Sequence, residues 1–95
     1  MRQTERTMQE IETALSGSDV LVAARRFFSL HLNIYSAFPE KEGATFIAFR
    51  GQGGEELLIG VEDRAGATRV TGSSYLFDQQ IARFLATLPP ADQRQ

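Results

Sequence analysis

His31 is the chain's one histidine, and Tyr35 follows it four residues later. An imidazole beside a phenol or a glutamate could move protons, because histidine titrates near ~6.5. General acid–base work also needs a cleft and a partner that tunes the pKa. Nothing around His31 implies either, so it reads as a structural residue on a sheet face. Glu40, Glu42, Glu55, Glu56, Glu62 and Asp63 offer carboxylates, but their spacing matches no EF-hand loop. One histidine without cysteine is no transition-metal set. These carboxylates read as solvated turn charges. Gly51-Gln52-Gly53-Gly54 lacks the Gly-Lys-Ser/Thr ending of a phosphate loop and leads into a strand, so its glycines read as a hairpin turn. Ser73-Ser74 reads as a helix cap rather than a nucleophile. Arg25-Arg26 could grip a phosphate or carboxylate. At the end of a helix, however, cations already complement the dipole. No catalytic residue, metal or cofactor is expected.

Composition narrows the partners. Ninety-five residues with 42% apolar and 23% charged content fit one globular domain. The expected division is an N-terminal helix over 1–17, a compact core over 18–90 and a frayed tail over 91–95. The net charge of −2 argues against nucleic acid, which normally meets a basic surface. There are no cysteines, so disulfides and thiolate metal sites are excluded. The polar opening, Met1 to Glu12, carries no apolar signal region, and no apolar run reaches the ~20 residues of a membrane span. A cytoplasmic location is expected.

The elements that must position any site follow from periodicity. Met8, Ile11 and Leu15 recur at helical spacing, predicting a helix over Thr4–Leu15. Ser16-Gly17-Ser18-Asp19 breaks it, with Gly17 as a C-cap and Ser18 or Asp19 capping the next helix. Val20, Leu21, Ala24, Phe27 and Phe28 predict that second helix, with Arg25 and Arg26 in its last turn. Phe28, Leu30, Leu32 and Ile34 then alternate with polar residues, predicting a first strand. Pro39-Glu40-Lys41-Glu42-Gly43 reads as a turn. Strands follow over Thr45–Arg50, Glu56–Glu62 and Thr68–Thr71, joined by glycine-containing turns that imply antiparallel hairpins. Phe77, Ile81, Phe84, Leu85 and Leu88 form the apolar stripe of a last helix, ended by Pro89-Pro90.

The expected fold class is α+β. Two N-terminal helices precede a curled four-stranded antiparallel meander, and a C-terminal helix lies across one sheet face, in the order α-α-β-β-β-β-α. The helix stripe should cover Leu30, Leu32, Ile34, Ile47, Phe49, Leu57, Ile59 and Val61. The opposite face should then carry His31, Asn33, Tyr35, Phe46, Ala48, Arg50, Glu56, Leu58, Glu62 and Arg69. If Phe49 lies opposite Leu57 and Val61 opposite Val70, Arg50 meets Glu56 and Glu62 meets Arg69. An apolar centre of Tyr35, Phe46 and Leu58 inside an Arg/Glu rim, with His31 beside it, has the make-up of a protein interface. The expected function is therefore a non-catalytic binding or assembly module, joining a second copy or a protein partner through this face.

Two comparisons bear on alternatives. The order helix, three strands, helix is shared with double-stranded-RNA-binding domains, whose last helix opens with lysines. Here that place reads Ser73-Ser74-Tyr75-Leu76-Phe77-Asp78, without lysine. Ala67-Thr68-Arg69-Val70-Thr71 running into Tyr75–Leu88 resembles the last strand and helix of START-like, helix-grip proteins. Ser18-Asp19-Val20 is similar to the opening of their early helices. These stretches cover under half of the chain. The resemblance implies a small carrier holding an apolar ligand between helix and sheet. That pattern also has an opening strand before its first helix, where Thr4–Leu15 reads as helical.

Overall fold

The computed structural model describes residues 7–30, 37–51, 56–74 and 77–91. Strand β1 (Thr7–Thr13) comes first, followed by helix α1 (Gly17–Leu30). Strands β2 (Ala37–Glu42), β3 (Phe46–Gly51), β4 (Glu56–Arg64) and β5 (Ala67–Ser74) follow, and helix α2 (Asp78–Ala86) ends the series. One antiparallel sheet holds all five strands in the order β1-β5-β4-β3-β2. The fold is α+β, with both helices on one face of the sheet: α1 over β2, β3 and β4, and α2 over β1 and β5.

The first element is a correction. Thr7–Thr13 is a strand, not a helix, and pairs with β5 from Thr7↔Ser74 to Thr13↔Thr68. Met8, Ile11 and Leu15 fit a helix by spacing, but Thr7, Gln9, Ile11 and Thr13 also alternate with Met8, Glu10 and Glu12. The polar residues at 9 and 13 hide the period of two from a hydrophobicity pattern. Both have tertiary partners that only the folded chain supplies: Gln9 Nε2 donates to the Asp78 carbonyl at 3.0 Å, and Thr13 Oγ1 to the Pro89 carbonyl at 2.6 Å. A strand thus precedes the first helix.

Four further boundaries move. Helix α1 begins at Gly17, and its capping side chain is Ser16, whose Oγ accepts the Asp19 N–H at 3.2 Å. The helix runs to Leu30, so Phe28 and Leu30 are helical, and Arg25 and Arg26 lie more than a turn before its end. Arg25 instead pairs with Glu42 of β2. Val20, Ala24 and Phe28, spaced four apart, have no solvent exposure, which explains why the helical period persists past Phe27. The segment Pro39–Glu42, expected as a turn, is part of β2, with a bulge between Pro39 and Lys41. Proline is tolerated there because β2 is an edge strand and needs no donor on its open side. Leu32 and Ile34 fall outside the described residues. Ser73 and Ser74 end β5 rather than opening α2, although Ser74 Oγ still accepts the Phe77 N–H at 2.9 Å.

The core lies between the helices and β3, β4 and β5. Ile47, Phe49, Leu57, Ile59 and Val70 face Val20, Ala24 and Phe28 of α1 and the stripe Phe77, Ile81, Phe84, Leu85 and Leu88. Phe27, Phe28, Phe49 and Phe84 meet with ring centroids 5.0–5.5 Å apart in tilted or edge-on geometry. That is the range in which aromatic pairs attract beyond simple burial. A polar latch joins the two ends of the fold. Thr13 Oγ1 accepts the Leu15 N–H at 3.3 Å while donating to Pro89, and Thr68 Oγ1 donates to the Leu15 carbonyl at 2.6 Å. Helix α2 ends at Ala86 with Thr87 as its C-cap, before Pro89-Pro90 is reached, and Pro90 bridges Thr13. No helix among the described residues is long and apolar enough to cross a membrane.

Candidate interface on the outer sheet face

Alternation along each strand sends every second side chain away from the helices. Register then sorts these side chains into rows. Met8, Ser73, Leu58, Ala48 and Lys41 form one row across the sheet, and Glu10, Thr71, Gly60 and Phe46 form the next. Glu12, Arg69 and Glu62 lie beyond them, and the pair Glu56–Arg50 closes the other side. The expected register holds: Phe49 faces Leu57, Arg50 faces Glu56, Val61 faces Val70 and Glu62 faces Arg69.

The charged rim is organised by its two arginines. Arg69 reaches Glu10 of β1 at 2.7 Å and Glu62 of β4 at 3.6 Å, so it spans three strands. Its hydrogen bond to Glu10, then the charges of Glu10, Glu62 and Glu12, hold its guanidinium above the usual arginine range. Arg50 bonds Glu40 of β2 through Nε at 2.9 Å. That bond, the Glu40 charge and then Glu56 raise its pKa likewise. These pairs are open to water, so each contributes little to stability. What they fix is orientation, because each guanidinium is tied to a carboxylate on a neighbouring strand.

The apolar centre differs from the expected one. Tyr35 and His31 lie outside the described residues. Phe46 is half-buried, and its ring leans over the turn before β3: a Cβ on Gly43 would stand 2.5 Å from it. Phe46 therefore sits at a corner of the face. Leu58, also half-buried, is central, flanked by Ala48 at 4% and Ser73 at 6% exposure. The row ends in Met8, 69% exposed. Met8 is the residue that sequence reasoning placed wrongly, because a helical reading of Thr4–Leu15 took it off the sheet. The alternation of Thr7, Gln9, Ile11 and Thr13 was the available signal.

A hollow breaks the face. About 270 Å³ opens between Thr45, Gly60, Val61, Glu62, Arg69 and Thr71. Gly60 creates it by lacking a side chain: a Cβ there would lie 3.1 Å from Thr71 Oγ1. Arg69 Nε borders it, buried and without a hydrogen-bond partner among the described residues. No group of three or more histidine, cysteine or acidic residues that could hold a metal occurs among the described residues. The arrangement suits non-covalent contact: a small-residue and apolar strip, a hollow and two fixed arginines. No protein-family model matches the chain, and neither a curated protein nor a solved structure shows significant similarity to it.

Proposed function

We propose that the chain is a non-catalytic binding module that takes a protein partner on its outer sheet face. The observation that carries this reading is one cross-strand row in which Met8 is exposed and Leu58 half-buried, with the buried Ser73 and Ala48 beside them, bounded on both sides by arginines paired with carboxylates. A patch with a weakly polar centre and an arginine rim is how protein interfaces are built: the centre loses water on contact and the rim fixes the register. Arg50 and Arg69, already aligned by their carboxylates, lose little freedom when a partner arrives.

Leu58→Glu tests the reading directly. Leu58 is only half-buried, on the outer face and away from the core, so the substitution should leave the circular dichroism spectrum intact and the melting temperature within a few degrees. Partner polypeptides photo-crosslinked through a probe at Lys41, an exposed residue of the same row, should disappear in the variant. A partner retained equally by Leu58→Glu would remove the outer face from consideration.

A second reading, a small carrier of an apolar ligand with a reduced helix-grip shape, draws support from β1, the opening strand that this pattern requires. Against it, Phe27, Phe28, Phe49 and Phe84 touch one another in the layer where such a ligand would lie. Native mass spectrometry of freshly purified protein separates the two readings. A bound small molecule at unit stoichiometry would favour the carrier, and protein mass alone, in whole multiples of 10.6 kDa, is expected instead.

A further inference from the structure

The sheet is open, and its two edges are not alike. The β2 edge carries Pro39, a bulge and Lys41, the usual devices that stop one sheet from joining another. The β1 edge has no proline, lysine or bulge. Its charges are Glu10, drawn back to Arg69, and Glu12. The Ala14 N–H bonds the Pro89 carbonyl on the side away from β5, and Thr13 bridges Pro90 there. Backbone groups alternate sides along a strand. Those of Glu12, Glu10 and Met8 therefore point the same way, off the sheet. The Pro89–Pro90 tail covers this edge at Thr13, leaving Thr7–Ile11 open among the described residues.

We propose that β1 pairs antiparallel with β1 of a second copy, joining two five-stranded sheets into one of ten strands about a two-fold axis at Gln9. Three observations converge on this partner. First, the open stretch Thr7–Ile11 is centred on Gln9. Pairing it with itself sets Met8 opposite the partner's Glu10, and the outward groups of both residues complete four backbone hydrogen bonds. Second, this register keeps like charges apart, whereas a shift to a Glu10 centre would set two glutamates directly opposite, which is unfavourable. Third, α2 leaves room for its twin. Helix α2 lies over β1 and β5. Strands ~4.8 Å apart then put the two α2 axes about 10 Å from each other, a normal helix-packing distance. Phe84 turns α2 toward Phe27 and Phe28 of α1. Ala82 and Ala86 lie two residues either side of Phe84, about 160° around the helix from it, and both are exposed. Side chains this small admit a second helix. The outer faces of the two copies become one continuous surface.

Met8 supplies the test, because its substitutions give opposite predictions for edge pairing and for simple apolar burial. The native chain should sediment at twice 10.6 kDa. Met8→Glu sets a carboxylate against the partner's Glu10 and should weaken the dimer at least about tenfold. Met8→Lys sets an ammonium there and should keep the dimer, now weakened by added salt. Met8 is an exposed residue, so both variants should fold. Amide exchange at Met8 and Glu10 should slow as protein concentration rises. A native chain that stays at 10.6 kDa, or two Met8 variants that are both monomeric or both dimeric, would overturn the proposal. Leu58→Glu should leave the dimer mass unchanged, which keeps this outcome separate from that of the outer-face reading.

Discussion

Phe84→Ala should lower the melting temperature by roughly 15 °C or more. Phe84 is the contact between the two helices: its ring meets Phe27 at 5.5 Å and Phe28 at 5.4 Å, and it has no exposure. Phe28 in turn meets Phe49 of β3 at 5.3 Å. Removing the ring deletes its own transfer free energy and opens a void bounded by other rings, which relax poorly. Such truncations cost ~3–5 kcal/mol. A domain of this size has ~5–14 kcal/mol in total, and each kcal/mol moves the midpoint by ~4–8 °C. Thermal melts by circular dichroism measure this. A drop under about 5 °C would mean that α2 is held by something other than the aromatic cluster.

Gly72→Ala should destabilise the protein by ~1–3 kcal/mol, against the usual direction of that exchange. In an ordinary strand interior, alanine is the better residue by ~0.5–1 kcal/mol, because glycine has more backbone freedom to lose. Gly72 lies on the inner face of β5 with ordinary backbone angles; Gly66, in the β4–β5 turn, is the described glycine with positive φ. What Gly72 provides is space. A Cβ there would stand 2.6 Å from Ile81 Cγ2 and 3.3 Å from Ile59 Cδ1. Ile81 is wholly buried, so its methyl can yield only if α2 lifts from the sheet. Moving the branch point relieves the clash, so Gly72→Ala should cost at least about 1 kcal/mol less in an Ile81→Leu background. Urea denaturation of the four proteins of this cycle gives the coupling, and additive effects would show that α2 does not sit where Gly72 admits it.

The same two elements show what could be read from sequence. The α2 stripe from Phe77 to Leu88 and the alternating runs of β3, β4 and β5 were legible, because local period and burial agree there. Their register was legible too, since charge pairing and apolar pairing select the same alignment at Arg50–Glu56 and Glu62–Arg69. Strand β1 was not, because Gln9 and Thr13 on its inner face are satisfied by Asp78 and Pro89, residues 69 and 76 positions away. No window along the chain contains those partners. Strand β2 was missed because Pro39 and four charged or turn-forming neighbours describe a loop as well as they describe a protected edge. The outer-face candidates divide in the same way. Leu58, Arg50, Glu56, Glu62 and Arg69 lie together as their alternation required. Phe46 was displaced to a corner by its contact with the turn at Gly43, and Met8 joined the face only when β1 became a strand.

The pairing of β1 with β5 also sets the timing of folding. The partners in that ladder are 55 to 67 residues apart, from Thr13↔Thr68 to Thr7↔Ser74. At ~5–20 residues per second, a ribosome needs roughly 3–12 s after β1 emerges before β5 can meet it. Over that interval β2, β3 and β4 have only neighbouring hairpins to make, while β1 waits with both edges bare. A loop of about sixty residues must then close before its hydrogen bonds are gained, which is a slow step for a chain this short. The strand that completes the sheet is the first to be made and the last to be placed. For several seconds of each synthesis, the nascent chain therefore presents the same unprotected backbone that the mature fold keeps open on one side.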